Sequence, residues 1–172
     1  MLSQAAHRLH RVWRFGADID TDQLAPGAYM KLGIEGIAPH CLESVRPGFA
    51  AAVRPGDVLV AGPNFGIGSS REQAAAALVT LGVRAVIAPS YSGLFFRNAF
   101  NVGLLLITCE KAEEIVDAEE LGLDLDAWQI HLKNGTALAC AAVPDFLMDI
   151  VRAGGLLNHL KSLRGVRKTA AT

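Results

Sequence analysis

The sequence predicts a single α/β domain built on a mainly parallel sheet, with a smaller antiparallel part. Its 172 residues are 51% hydrophobic, which is enough for one full core without a disulfide or a metal. Apolar strands at 58–61, 83–88 and 103–108 alternate with helical segments, and this order is typical of βαβ units. A hairpin turn at 133–136 separates two further strands, which supply the antiparallel part.

The first fifty residues predict one strand followed by a long connection. Residues 12–15 are aromatic and β-branched and end at Gly16, so we expect a strand there after a ragged start over 1–10. The connection, 24–49, contains four glycines and three prolines. A segment of this length in a small domain is typically a functional loop or lid. We expect one short helix within it, at 34–45.

The middle of the chain predicts the βαβ units. A turn at 54–57 leads into the strand 58–61. The alanine-rich run 71–81, closed by a glycine, predicts a helix. The strand 83–88 and a helical or turn segment at 92–101 follow.

The last third of the chain predicts the end of the parallel sheet, the hairpin and two helices. A strand at 103–108 is followed by an acidic linker at 110–120. The two hairpin strands are expected at 128–132 and 137–142, and the two helices at 145–153 and 156–163. We expect a single domain over 11–165 and a flexible basic tail over 166–172.

Charge and cysteine content exclude several classes of protein. Sixteen basic and seventeen acidic residues leave a net charge of −1, so no bulk charge attracts nucleic acid or an anionic membrane. No apolar run reaches the roughly 18–20 residues of a membrane span. Cys41, Cys109 and Cys140 are far apart in sequence and form no metal-binding pattern. We expect all three to be buried or incidental thiols in a reducing cytoplasm.

The run Gly-Ile-Gly-Ser-Ser-Arg-Glu at 66–72 predicts an anion-binding site. Glycines let the backbone approach a ligand closely, and the N-terminus of the following helix favours a negative charge. Arg71 has the wrong charge for a first helical turn, and its position is explained if it binds a carboxylate or phosphate through two N–H groups. Ser69 and Ser70 add two hydroxyls.

Helix capping is an alternative explanation of this run. Ser69 with Glu72, or Ser70 with Gln73, has the spacing of a capping box. Capping accounts for one serine and leaves the other serine and the arginine unexplained. A Walker P-loop is excluded because no Lys-Ser/Thr pair follows the glycines, and a dinucleotide fingerprint lacks its third glycine.

Three acidic residues precede the long connection. Asp18, Asp20 and Asp22 stand at alternate positions. In an extended segment this spacing places their carboxylates on one side.

With these motifs in this order, the chain resembles the aconitase superfamily. The residues that carry the resemblance are Asp-Ile-Asp-Thr-Asp at 18–22, Asn-Phe-Gly at 64–66, Gly-Ser-Ser-Arg-Glu at 68–72 and Phe-Arg-Asn-Ala-Phe-Asn-Val-Gly at 96–103. Within the superfamily it is similar to the small subunits of 3-isopropylmalate dehydratase, which correspond to the swivelling domain of aconitase. The resemblance covers about residues 11–165 and implies a three-layer β/β/α swivelling fold.

The resemblance implies roles for the matching residues. Ser69 takes the place of the catalytic base, which acts as an alkoxide. Ser70 and Arg71 take the places of groups that bind the substrate carboxylate and stabilise that serine. Asp22, with Thr21, matches a threonine–aspartate pair at the active site.

A loop implied to select the substrate follows these acids. Gly68 is implied to be a substrate-binding residue, whereas the loop contacts the far end of the substrate. Tyr29, Met30 and Leu32 suit an isopropyl group, and Lys31 suits either a distal carboxylate or solvent.

The implied reaction is dehydration of a 2-alkylmalate to an unsaturated diacid, followed by rehydration at the neighbouring carbon. In the family a [4Fe-4S] cluster on a separate large subunit binds hydroxyl and carboxylate as a Lewis acid. We therefore expect a cytoplasmic small subunit of a heteromeric hydro-lyase of leucine biosynthesis, with no metal of its own. A homoaconitase-like or 2,3-dimethylmalate dehydratase subunit and a non-catalytic anion-binding module are alternatives. Ile67 and Gln73 depart from the family's usual Cys and His.

Overall fold

The computed structural model describes residues 8–169, and the seven strands within them form one sheet. The strands are β1 (Leu9–Arg14), β2 (Val58–Val60), β3 (Ala85–Ala88), β4 (Leu105–Thr108), β5 (Glu120–Asp124), β6 (Gln129–Leu132) and β7 (Ala137–Ala139). The α-helices of the described residues are α1 (Thr21–Leu24), α2 (Gly33–Ile37), α3 (Phe49–Ala52), α4 (Gln73–Thr80), α5 (Gly93–Asn101), α6 (Asp145–Arg152) and α7 (Leu156–Thr169). Short 3-10 helices cover Gly27–Leu32, Ala38–His40 and Ala112–Glu114.

The strand order is β4-β3-β2-β1-β5-β6-β7. Strands β1 to β4 pair in parallel, and β5 to β7 pair antiparallel, with β5 against β1. Strand β1 therefore belongs to a parallel half and to an antiparallel half. Helices α1 to α3 lie in the first crossover connection, α4 in the second and α5 in the third. The predicted α/β class is confirmed.

Burial explains why the two halves differ in sequence. Every residue of β2 and β3 is buried, as expected for parallel strands that are covered on both faces. Along β6 and β7, buried residues alternate with more exposed ones, as expected where one face of an antiparallel sheet meets water. None of the helices in residues 8–169 is long and apolar enough to cross a membrane.

The two edges of the sheet approach each other. Just beyond β7, the Ala141 N–H donates to the Thr108 carbonyl at the end of β4, at 2.9 Å. Next to this contact the Tyr91 hydroxyl hydrogen-bonds with the carbonyls of Val86 and Ile107, at 2.9 and 2.7 Å. The sheet therefore curls until the end of β4 meets the chain just beyond β7.

The terminal elements are longer than predicted. Strand β1 begins at Leu9, inside the stretch expected to be ragged, because its first half pairs with β5. Residues 1–7 of that stretch lie outside the described residues. Helix α7 runs to Thr169 instead of ending at 163, and residues 170–172 of the expected tail are likewise outside the described part.

The acidic segment 110–120 is more than the predicted linker. It contains the 3-10 helix Ala112–Glu114, and its last residue opens β5. Strand β5 has only Leu121 and Leu123 as apolar residues, on either side of a glycine, which is too weak a pattern to predict a strand.

The helix expected at 34–45 is also shorter than predicted. Helix α2 ends at Ile37, and a 3-10 turn follows. Pro39 lacks the N–H that a continuing α-helix needs, so the α-helical hydrogen bonding stops here.

Candidate active site

The loops that follow β1 and β2 form the candidate active site. Because these two strands are parallel neighbours, their carboxyl ends lie at the same edge of the sheet. The loops pair through their backbones: the Gly66 N–H donates to the Ile19 carbonyl at 2.7 Å, and the Thr21 N–H donates to the Ile67 carbonyl at 2.8 Å. This pairing brings Thr21 next to Ser69.

Ser69 and Thr21 are joined by two hydrogen bonds. The Ser69 N–H donates to Thr21 Oγ1 at 3.0 Å, and the two hydroxyl oxygens are 3.1 Å apart. Thr21 Oγ1 already accepts the hydrogen bond from the Ser69 N–H, so the Thr21 hydroxyl can donate its own hydrogen bond to Ser69 Oγ. A hydrogen bond in that direction favours the charged form of the serine oxygen. Thr21 is buried, whereas Ser69 is exposed.

Two glycines are required by this close packing. Gly66 has φ +80°, and a Cβ there would lie 2.1 Å from Cγ of Phe95. Gly68 has φ +108°, and its Cβ would lie 3.0 Å from Thr21 Oγ1. Any L-residue would be strained at either position, and at Gly66 it would also collide with α5.

Arg71 and Asp22 form the second pair of the site. The Arg71 Nη1 group donates to Asp22 Oδ1 at 2.9 Å and to the Ala25 carbonyl at 2.8 Å. The Gly27 N–H also donates to Asp22 Oδ1, at 3.0 Å. The Arg71 hydrogen bond, followed by that of Gly27, lowers the pKa of Asp22 below its usual value of 3.8. Arg71 therefore faces a carboxylate that stays ionised at neutral pH.

The capping explanation of the serines is wrong. Helix α4 begins at Gln73 with Glu72 as N-cap, and no side-chain hydrogen bond caps it. Ser69, Ser70 and Arg71 therefore lie in the loop before the helix, and the prediction that Arg71 is in its first turn is corrected. Helix α4 does not begin earlier, at the serines, because the Ser69 N–H is hydrogen-bonded to Thr21 Oγ1.

The three alternating carboxylates do not form a row. Asp18 has φ +58° and accepts a hydrogen bond from Asn64 at 2.9 Å. Asp20 caps α1 in a capping box with Gln23, and only Asp22 reaches Arg71. The expectation fails because α1 begins at Thr21 and ends the extended segment.

Asn98 is a site residue to which the sequence assigns no role. Its Nδ2 group donates to the Ser70 carbonyl at 2.9 Å, which connects α5 to the serine loop. Its position inside the 96–103 motif is the one signal that the sequence offers.

The 3-10 helix Gly27–Leu32 carries the loop implied to select the substrate. Tyr29 stacks on His40 with ring centroids 3.5 Å apart, and His40 Nδ1 lies 2.7 Å from Glu43 Oε2. Lys31 and Leu32 are exposed. The Gly27 N–H thus anchors the start of this turn to Asp22. Within the described part of the chain, no hydrogen bond joins Met30, Lys31 or Leu32 to Ser69.

Known proteins resemble this chain in sequence and in fold. The family described as the aconitase C-terminal domain matches residues 49–112. The 3-isopropylmalate dehydratase small subunit 1 of Archaeoglobus fulgidus is 46% identical over 156 residues, which cover 90% of this chain and 97% of that protein. The chain belongs to the 3-isopropylmalate dehydratase small-subunit family.

Other relatives agree with membership of this small-subunit family. The crystal structure of 3-isopropylmalate dehydratase from Methanocaldococcus jannaschii matches with a TM-score of 0.88 and 39% identity, over 94% of this chain and 98% of that chain. The predicted swivelling-domain fold is thereby confirmed. The methanogen homoaconitase small subunit of Methanothermobacter thermautotrophicus is 44% identical, over 87% of this chain and 88% of that protein.

Both departures from the usual small-subunit family sequence lie beside the site. Ile67 contributes its backbone carbonyl to Thr21, so its side chain is not what pairs the two loops. Gln73 is the first residue of α4. The Ser69–Thr21 and Arg71–Asp22 contacts use neither of these two side chains.

Proposed function

We propose that this chain is the small subunit of a heteromeric hydro-lyase that interconverts 2-isopropylmalate and 3-isopropylmalate in leucine biosynthesis. The observation that carries the proposal is the arrangement of Ser69 on Thr21 and Arg71 on Asp22 at one edge of the sheet. It is supported by relatives named as 3-isopropylmalate dehydratase small subunits, at 42 to 46% identity.

In this proposal Ser69 Oγ removes the proton α to a substrate carboxylate. A serine hydroxyl is too weak a base unless its surroundings favour the alkoxide. The hydrogen bond available from Thr21 and the nearby guanidinium of Arg71 both favour the negative oxygen. In the rehydration step the same oxygen returns the proton to carbon.

Arg71, Ser70 and Gly68 are proposed to bind the carboxylate next to that carbon. Proton removal spreads negative charge onto this carboxylate, so donors fixed in advance stabilise the transition state. Arg71 is fixed by Asp22 and the Ala25 carbonyl, and the Ser70 backbone is fixed by Asn98.

A large subunit holding a [4Fe-4S] cluster is proposed to complete the site, in the cytoplasm. Over residues 8–169, no group of three His, Cys, Asp or Glu side chains is placed to hold a metal ion. Ser69, Ser70 and Asp22 are exposed. A hydroxy diacid bound to them stays in contact with water unless a partner covers it.

The turn Gly27–Leu32 is proposed to contact the substrate's far end, with Met30 and Leu32 against an isopropyl group. A longer substrate with a third carboxylate is the second candidate, favoured by the exposed Lys31 and by the homoaconitase relative. 2,3-Dimethylmalate is a further alternative.

Reconstitution tests this proposal. The chain is mixed with an anaerobically prepared large subunit from the same source, and the unsaturated diacid is followed by ultraviolet absorbance with isopropylmalate, dimethylmalate and homocitrate. We expect Ser69→Ala to lower kcat by roughly 10³-fold or more with isopropylmalate, with the complex still assembled. Ser162→Ala, the same change on the exposed face of α7, serves as control.

Two outcomes contradict the proposal. Equal losses of kcat in Ser69→Ala and Ser162→Ala would show that Ser69 is not the base. Turnover of only homocitrate or dimethylmalate would agree with the mechanism but show that isopropylmalate is not the substrate.

A further inference from the structure

Cys109 and Cys140 lie opposite each other where the sheet closes. The backbone hydrogen bond from Ala141 to Thr108 joins the chain after β7 to the end of β4. The sheet order makes these two segments antiparallel. In an antiparallel pair, the residues next to a hydrogen-bonded pair face each other across the strands.

The other backbone contacts agree with this register. The Cys109 N–H donates to the Ala88 carbonyl at 3.0 Å, and the Cys140 N–H donates to the Trp128 carbonyl at 2.9 Å. Both backbones therefore turn their N–H groups away from each other, as residues of a non-hydrogen-bonded pair do. Such a pair has Cα atoms about 4.5 Å apart, within the range that a disulfide spans.

The two thiols interact electrostatically. The interaction with the Cys140 thiol lowers the pKa of Cys109 to about 7, against the opposing effect of burial. The same interaction raises the pKa of Cys140. The interaction therefore favours the thiolate on Cys109 and the thiol on Cys140.

Solvent reaches this pair from one side. Cys109 is buried, whereas Cys140 is half-buried. Cys140 lines a groove of about 480 Å³ between 108–111 and 137–141, which is large enough for a small oxidant. Cys140 is therefore the more accessible residue of the pair.

We propose that Cys109 and Cys140 form an oxidation site that a hydroperoxide converts to an intramolecular disulfide. With hydrogen peroxide as oxidant, the thiolate sulfur attacks a peroxide oxygen, the O–O bond breaks, and a sulfenic acid and a hydroxide ion form. The hydroxide takes a proton from solvent and becomes water. The second sulfur then attacks the sulfenic sulfur, the S–S bond forms, and the hydroxyl leaves as water with the second thiol proton. The two thiols lose two electrons and two protons, which the peroxide takes up.

The disulfide would fasten the two edges of the sheet covalently. It closes a loop that contains β5, β6 and β7, and closing a loop of this length restricts the unfolded chain. Cys41 is fully buried, and burial raises the pKa of its thiol, so it stays reduced.

Peptide mapping of the native full chain tests the proposal. The chain is treated with hydrogen peroxide, the remaining thiols are alkylated, and the digest is analysed without reduction. We expect a Cys109–Cys140 cross-linked peptide, an intact mass lower by about 2 Da, alkylated Cys41 and reversal by dithiothreitol. Tm should rise by roughly 5–10 °C on oxidation.

Two serine variants complete the test. Cys140→Ser should give no intramolecular cross-link and no rise in Tm on oxidation, whereas Cys41→Ser should behave as the unchanged chain does. The proposal is overturned if peroxide leaves both thiols alkylatable, if cross-links form between molecules instead, or if Cys140→Ser keeps the rise in Tm.

Discussion

Arg71 donates two hydrogen bonds, both from Nη1, to Asp22 and to the Ala25 carbonyl. No described residue accepts a hydrogen bond from its Nη2 or Nε group, so these groups remain available for a bidentate contact with a substrate carboxylate. The side chain is only 26% exposed, which limits the orientations of this fork.

A lysine at this position would keep the positive charge and lose the pair of N–H donors, Nη2 and Nε, that can bind both oxygens of a carboxylate. We expect Arg71→Lys to lower kcat/KM by about 100-fold in the reconstituted enzyme, because a carboxylate is then bound through a single nitrogen. Steady-state kinetics measures this effect. Arg152→Lys, in an exposed ion pair on α6, makes the same change away from the site and should leave kcat/KM unaltered. Equal kinetics for both variants would show that Arg71 contributes charge alone.

Some residues of the candidate site could be predicted from the sequence and others could not. Arg71 and the serines stand out because their residue types do not suit a plain helix start. Thr21 and Ser69 are 48 residues apart in sequence, and the resemblance, not spacing, links them. Asn98 acts through an amide contact to a backbone carbonyl, which no residue pattern specifies.

Among the elements, the serine loop and α5 fit together at Gly66. We expect Gly66→Ala to destabilise the chain by about 2–4 kcal/mol, because the new Cβ meets the Phe95 ring and the backbone has a positive φ. Denaturant unfolding measures the loss. Gly93→Ala, at the start of α5, places its Cβ in open space and is the matched control. A neutral Gly66→Ala would mean that the loop moves freely away from α5.

The long connection and the acidic segment are both attached to β1 through Asp117. The guanidinium of Arg46 donates two hydrogen bonds to this carboxylate, at 2.8 and 2.9 Å, and the Arg14 N–H donates a third at 2.8 Å. Arg46 also lies over the Trp13 ring, 4.6 Å from its centroid. Chiefly because of the Arg46 hydrogen bond, the pKa of Asp117 is lowered.

A lowered pKa gives this contact a defined pH dependence. The carboxylate stabilises the folded chain above its unfolded pKa of about 3.8, and the contribution is lost as pH falls through the lower folded value. We expect Asp117→Asn to reduce the free energy of unfolding by about 0.5–1 kcal/mol at pH 7, since the pair is partly exposed. Urea titrations should show this difference vanishing at acid pH. Asp126→Asn, in an exposed turn, should show no such trend.

The elements were predictable where hydrophobicity was uninterrupted. Strands β2, β3 and β4 are short runs of aliphatic residues and stand where the sequence indicates. Strand β5 was missed because its partner β1, more than its own residues, makes it a strand. The start of α4 was placed two residues early because a tertiary contact to Thr21, absent from any local pattern, holds the preceding serine.

At the scale of the whole molecule, the candidate active site is exposed where the loops after β1 and β2 meet. Cys109 and Cys140 lie where the end of β4 meets the chain beyond β7. The family fold and the exposed position of Ser69 together account for the proposed large subunit, because the described chain does not enclose a substrate. The resemblance predicts this dependence on a partner. No physical reading of the sequence gives the shape of the surface that the partner would cover.

The position of β1 has a consequence for the order of folding. The first strand of the described residues lies in the middle of the sheet, and Leu9 pairs with Gly122, 113 residues further along the chain. Its antiparallel edge thus stays unpaired on the ribosome until β5 emerges, and closing so long a loop slows refolding. Pulse-labelled hydrogen exchange during refolding should show the β1 amides that face β5 protected later than those of the local hairpin β6–β7. Translation therefore produces the central strand of the sheet well before one of its two neighbours.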